Sequence, residues 1–82
     1  MKIQLKTFAQ LREKTGAAIH TLELSEPATL ASCQAAFLAQ FPALEHDLSH
    51  CRMALNQNYV RDLNTQLQEG DEVALIPPVS GG

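Results

Sequence analysis

The 82 residues make a single domain that buries about 60–65% of its extended surface on folding, which leaves room for one small core and none for an enclosed active site. A net charge of −3 with six scattered Lys and Arg residues argues against a nucleic-acid surface and points to a protein partner that carries a basic patch. No apolar run approaches the roughly 20 residues that span a bilayer, and Met1-Lys2-Ile3-Gln4-Leu5 lacks a signal peptide's apolar region, so the expectation is a cytoplasmic protein with no membrane association.

Lys2 to Phe8 alternates polar and apolar residues with the period of a half-buried strand, which turns Ile3 and Leu5 to the core and Phe8 outward. Ala9 to Thr15 is rich in helix formers, holds Leu11 as its apolar anchor and stops at Gly16, a residue suited to the left-handed position after a helix. Ile19 to Leu24 alternates again and reads as a second strand, antiparallel to the first and closed by Ser25-Glu26-Pro27. The long helix runs from an N-cap at Thr29 to Phe41, before Pro42, with Leu30, Cys33, Phe37, Leu38 and Phe41 forming its apolar stripe.

Ala43 to His50 reads as a loop or a short helical turn. A third strand follows at Cys51 to Asn56, with Cys51, Met53 and Leu55 on one face. Gln57-Asn58 is placed as the turn into a short strand at Tyr59-Val60. From Val60 to Gly70 the chain is expected to be irregular, anchored by Leu63 and Leu67, before Gly70-Asp71 turns into Glu72-Val73-Ala74-Leu75-Ile76. That strand is apolar enough to lie in the middle of a sheet, with Val73 and Leu75 toward the helix and Ile76 on the outer side with Phe8. The order is that of an α+β roll, a mixed sheet curled over one long helix, with its first and last strands as neighbours.

Residues 1–76 form the domain and 77–82, Pro77-Pro78-Val79-Ser80-Gly81-Gly82, a flexible extended tail. Two prolines hold the backbone out, and two glycines then strip it of side chains, so that it can enter a narrow channel and leave the α-carboxylate of Gly82 open to attack. A carboxylate with an ordinary pKa of about 3.5 is a poor electrophile and has to be activated first, for example as an acyl adenylate. That step calls for ATP, magnesium and a separate enzyme; the isolated domain is expected to bind no cofactor. The six residues after Ile76 reach at most about 20 Å, enough to thread a partner's active site while the domain stays outside.

Other chemistry is sparse. There is no phosphate-binding loop and no nucleophile–base set. His46 and His50 are spaced for one helix face but read as a solvated pair, and no metal site is expected. Cys33 lies in the apolar stripe and reads as a buried structural thiol; neither it nor Cys51 belongs to a Cys-x-x-Cys motif, and both are expected to be reduced.

Phe8-Ala9-Gln10-Leu11-Arg12-Glu13 with Gly16, Asn56-Gln57, and Gly70-Asp71-Glu72-Val73-Ala74 leading into Pro77-Pro78-Val79-Ser80-Gly81-Gly82 resemble the small, sulfur-carrying subunit of molybdopterin synthase, a family of the MoaD/ThiS type. The resemblance spans the chain. It implies a ubiquitin-like β-grasp fold, adenylation of Gly82 by an E1-like enzyme, and conversion of Gly82 to a thiocarboxylate by a persulfide sulfur donor. It further implies entry of the tail into the large subunit of the synthase, sulfur transfer to cyclic pyranopterin monophosphate, and a heterotetramer of two small and two large subunits. The active site would belong to the large subunit. The resemblance also places Tyr59 with Phe8 and Ile76 in an apolar patch beside the tail root, which would bind the partner together with Pro77, Pro78, Val79, Ser80 and Gly81. Ile76 stands where that family often has an aromatic residue, which keeps the apolar character and reduces stacking area. The alternatives are a carrier of the thiamine-pathway type and a ubiquitin-like modifier joined to lysines through Gly82.

Overall fold

In the computed structural model, residues 1–78 are described. The expectations for Val79, Ser80, Gly81 and Gly82 lie outside the described residues.

Five strands form one mixed sheet in the order β2-β1-β5-β3-β4. They are β1 (Lys2–Thr7), β2 (Ile19–Glu23), β3 (Arg52–Leu55), β4 (Asn58–Val60) and β5 (Glu72–Ile76). β1 and β5 run parallel at the centre, and the other three pairings are antiparallel. Helix α1 (Ala9–Thr15) follows β1, and α2 (Leu30–Gln40) follows β2. This is the β-grasp arrangement expected from the sequence.

Parity along the strands explains the core. Ile3 and Leu5 of β1, Leu22 of β2, Met53 of β3 and Val73 and Leu75 of β5 point to one side, where Leu30, Cys33 and Phe37 of α2 meet them. Phe37, Ile3, Leu5 and Leu75 are among the largest fully enclosed side chains. Burying each contributes about 1.5–3 kcal/mol. Thr7 has the same parity and is the one buried polar residue among the described residues; its hydroxyl is satisfied by donating to the Ala17 carbonyl at 2.6 Å.

Local signals fix the ends of the helices. Gly16 closes α1 at a φ of 84° and donates its N–H to the Arg12 carbonyl. Thr29 caps α2 reciprocally: its side-chain oxygen accepts from Ser32 N–H at 3.3 Å, and its own N–H donates to Ser32 Oγ at 2.7 Å. At the other end of α2, Phe41 precedes Pro42, which opens a 3-10 turn (Pro42–Leu44) rather than another helical turn.

Of the two forms expected for Ala43 to His50, a loop or a short helical turn, the helical one is found: α3 (Glu45–Ser49) is held by burial of Leu44 and Leu48 against the core. Two details differ from the sequence expectations. The turn between β3 and β4 lies one residue earlier, at Asn56-Gln57, with φ of 49° and 73°, and β4 starts at Asn58. Two successive left-handed residues make the two-residue hairpin whose twist matches its strands, and Asn at the first of them tolerates that conformation. Leu63 is not an anchor: it is 43% exposed, while Leu67 is buried. Backbone bonds explain the separation, because Ala31 N–H donates to the Leu63 carbonyl and Leu30 N–H to that of Thr65, which leaves the Leu63 side chain outside.

Asn56 also ties the hairpin to β5. Its N–H donates to the Glu72 carbonyl at 2.8 Å, its Nδ2 donates to Asp71 Oδ1 at 3.1 Å, and its Oδ1 accepts from Glu72 N–H at 3.0 Å. Gly70, at a φ of 84°, donates to the Lys2 carbonyl, so the segment entering β5 is clamped from both neighbours. The strand that leads to the tail is thus paired on both edges and pinned at its start.

Candidate partner surface and tail root

The helices cover one face of the sheet, and the outward residues of the same strands make the other. Register sets Lys6 beside Ala74, Ala74 beside Ala54, and Ala54 beside Tyr59. Two alanines in the middle of that row leave a depression of about 300 Å³, walled by Phe8, Tyr59, Ile76, Lys6 and Glu72. Phe8 is 45% exposed and Tyr59 59% exposed, and Ile76 is half-buried. Large apolar side chains left in water around a concave floor make this depression a candidate for contact with another molecule.

Phe8 reaches this wall because β1 ends at Thr7 and the chain turns sharply into α1. Ala9 carries the turn with a left-handed φ of 51°, an unfavourable conformation for a residue with a Cβ. On the rim, Lys6 Nζ and Glu72 Oε1 are 3.1 Å apart, an ion pair that remains half in solvent.

The strand β5 brings Ile76 to the edge of the depression and passes straight into Pro77 and Pro78. These two prolines line a second, smaller cleft of about 170 Å³ together with Gln10 and Leu11 of α1 and His46, His50 and Cys51. Lys14 of α1 and Asp47 of α3 close the cleft from outside at 2.9 Å. The root of the tail therefore leaves between the open face of the sheet and the α1–α3 cleft.

Of the residues singled out in the sequence, Phe8, Tyr59 and Ile76 come together, Pro77 and Pro78 lie next to them, and Val79 to Gly82 are outside the described residues. Lys6, Ala54, Ala74 and Glu72 were not singled out. Their signal was small or paired residues at outward-facing strand positions, and it becomes legible only with the register known.

Burial pushes the Cys33 thiol up to about 12, so it stays protonated and inert. Cys51 is also raised, by burial first and by the Asp47 carboxylate second, and its thiol donates to the Asp47 carbonyl. Among the described residues, no group of three or more His, Cys, Asp and Glu is placed to hold a metal ion. The His46 and His50 rings stack edge to face at 4.7 Å, and His20 packs edge-on against Phe37 and Phe41. No helix among the described residues is long and apolar enough to cross a membrane.

The ThiS family model matches residues 5–82 of the chain. The chain is similar to the molybdopterin synthase sulfur carrier subunit of Chlamydomonas reinhardtii, 43% identical over the full length of both. Among solved structures, SAMP1 of Haloferax volcanii superposes with a TM-score of 0.90 at 30% identity, covering all of both chains. A chain from the complex of subunits 1 and 2 of the molybdopterin-converting factor of Helicobacter pylori superposes with a TM-score of 0.76 at 28% identity, again over both chains in full.

Proposed function

The chain belongs to the ThiS family, and from that premise we propose that it is the sulfur carrier subunit of molybdopterin synthase. The observation that carries this reading is identity of 43% with a subunit of that name along the whole of both chains. The placement of Phe8, Tyr59 and Ile76 around one depression beside the tail root supports it.

In this reading Gly82 is the reacting residue. An E1-like enzyme binds ATP and magnesium and joins the Gly82 carboxylate to AMP with loss of pyrophosphate, which turns a poor electrophile into a good one. The terminal sulfur of a persulfide donor displaces AMP to give an acyl disulfide, and a second thiol of the sulfur-supplying enzyme cleaves its S–S bond, which releases the tail as a thiocarboxylate and leaves a disulfide on the donor. The synthase's large subunit then receives the tail, and sulfur passes to cyclic pyranopterin monophosphate to build the dithiolene of molybdopterin. Pro77 and Pro78 keep the root extended, Val79 and Ser80 contact the partner, and Gly81 and Gly82, without side chains, let the tail enter a narrow channel.

The domain's part is docking. The depression takes an apolar side chain of the large subunit or of the activating enzyme, and the two compete because both need the same tail. The complex of subunits 1 and 2 in Helicobacter pylori supports the pairing with a large subunit; the heterotetramer and the cytoplasmic site of action belong to the same reading.

Intact mass after incubation with the activating enzyme, ATP and a persulfide source tests the proposal. The expected gain is about 16 Da, the exchange of one oxygen for sulfur, and because methionine oxidation gives a similar shift the gain must also be alkylated selectively. A gain that persists after Gly82 is removed would contradict the assignment.

A second reading rests on the likeness to SAMP1, the small archaeal modifier protein 1 of Haloferax volcanii: Gly82 is joined to lysines of other proteins after the same activation. Gly-Gly remnants on lysines in digests of cells expressing the chain would favour it, and their absence under conditions that produce the thiocarboxylate would exclude it.

A further inference from the structure

A third concavity lies apart from the depression and the tail cleft. It is a groove of about 430 Å³ at the β4 end of the sheet, between β3, β4 and the helices α2 and α3. Its apolar surface comes from Leu48, Met53, Val60 and Leu63, and two arginines, Arg52 and Arg61, line it as well. They are two of the chain's three arginines, collected at one place in a molecule of net charge −3.

Neither arginine is spent on the fold. The ion pairs among the described residues are Lys6 with Glu72 and Lys14 with Asp47, and both lie elsewhere. The nearest acid in sequence, Asp62, is engaged locally: its Oδ1 accepts from Asn64 N–H at 2.9 Å. Arg52 instead has its guanidinium carbon over the Tyr59 ring, 4.0 Å from the centroid, a cation–π contact that limits the freedom it would lose on binding. The outer wall is fixed too, since the Leu63 and Thr65 carbonyls accept from α2 and the Thr65 hydroxyl donates to the Asp62 carbonyl at 2.6 Å.

The occupant follows from those features. β4 is an edge strand whose far side pairs with no other strand, an opening for an extended segment. Leu63 offers that segment an apolar contact, and the two guanidiniums offer bidentate partners for carboxylates. We propose that this groove binds an extended acidic segment of a partner protein, with an apolar side chain against Leu63 and carboxylates on Arg52 and Arg61. Tyr59 belongs to both surfaces, so a partner seated in the depression can send such a segment around the sheet edge into the groove. The proposal does not depend on the sulfur-carrier reading, since it concerns binding by the folded chain alone.

The test is a titration of the isotope-labelled chain, followed by backbone amide NMR, with the blocked peptide acetyl-Glu-Asp-Leu-Glu-Asp-Leu-amide. The expected result is saturable shifts at Gln34, Ser49, Arg52 and Leu63 and an affinity that falls as salt rises. Arg52→Ala and Arg61→Ala each weaken it about three- to fivefold, the range of a partly exposed ion pair. Arg12→Ala removes the same charge elsewhere and leaves it unchanged, and the spectra of all variants report whether the fold is kept. Three outcomes overturn the proposal: no saturable shifts in the groove, equal binding of the lysine-for-acid peptide, or the same shifts with inorganic phosphate alone, which would make the groove a site for small anions.

Discussion

The two faces of the sheet are built from the same strands and differ by one step of parity. On the inner face Ile3, Leu5, Val73 and Leu75 are sealed by α2, and their neighbours are all within the chain. On the outer face Ala74 and Ala54 lie between Phe8, Ile76 and Tyr59, and no helix covers them. The difference teaches that apolar residues here have two destinations. Those at odd positions of β1 and β5 make the fold, whereas those facing the other way are left on an open surface.

Substitutions on the inner face should break the fold before they touch function. Phe37→Ala is expected to cost about 3–5 kcal/mol in urea unfolding, because it empties a fully enclosed site beneath the sheet. Since small domains hold only about 5–15 kcal/mol in total, much of that margin disappears.

The pH dependence of stability sharpens the same contrast. The folded Cys33 thiol is raised from 9.0 to about 12, so the folded state holds a proton that the unfolded chain gives up above pH 9. The resulting stability is fully present below pH 9 and is lost as pH rises toward 12. The difference in unfolding midpoint between the parent chain and Cys33→Ala should therefore narrow or reverse across that window, and a constant difference would count against burial as the cause.

Outer-face changes should do the reverse. Phe8→Asp combined with Ile76→Asp is expected to lower affinity for the large subunit at least tenfold, the effect of losing one buried interface anchor, with stability changed by no more than about 1 kcal/mol. Calorimetric titration against the large subunit and urea unfolding read the two effects separately. Two smaller changes mark the lower end of the scale. Thr29→Ala removes the N-cap of α2 and should cost about 1 kcal/mol, and Lys6→Met, on the rim of the depression, no more than about 1 kcal/mol.

What was legible in the sequence divides along a similar line. β1, α1, β2, α2 and β5 were readable because alternation, a cap or a glycine stop marks each of them locally. The central place of β5 followed from its apolar run, and the shared face of Phe8 and Ile76 from parity. The hairpin turn was misplaced by one residue because Asn56 and Asn58 are equally good turn residues, and only pairing with β5 decides between them: Asn56 spends its side chain on Asp71 and Glu72. Helix α3 could be read only as one of two alternatives, a loop or a short helical turn, because it is too short to show a period and is held by tertiary burial of Leu48. The basic groove was invisible for a different reason. Arg52 and Arg61 are separated along the chain and count as scattered until the β3–β4 hairpin folds them to one end.

The central claim is that sulfur travels on the carboxyl carbon of Gly82 while the domain only docks. A single-turnover assay of the thiocarboxylated chain with the large subunit and cyclic pyranopterin monophosphate tests it most directly. Dithiolene should form in proportion to the thiocarboxylate supplied and not at all with the carboxylate form. Equal product from a chain lacking Gly81 and Gly82 would contradict the account.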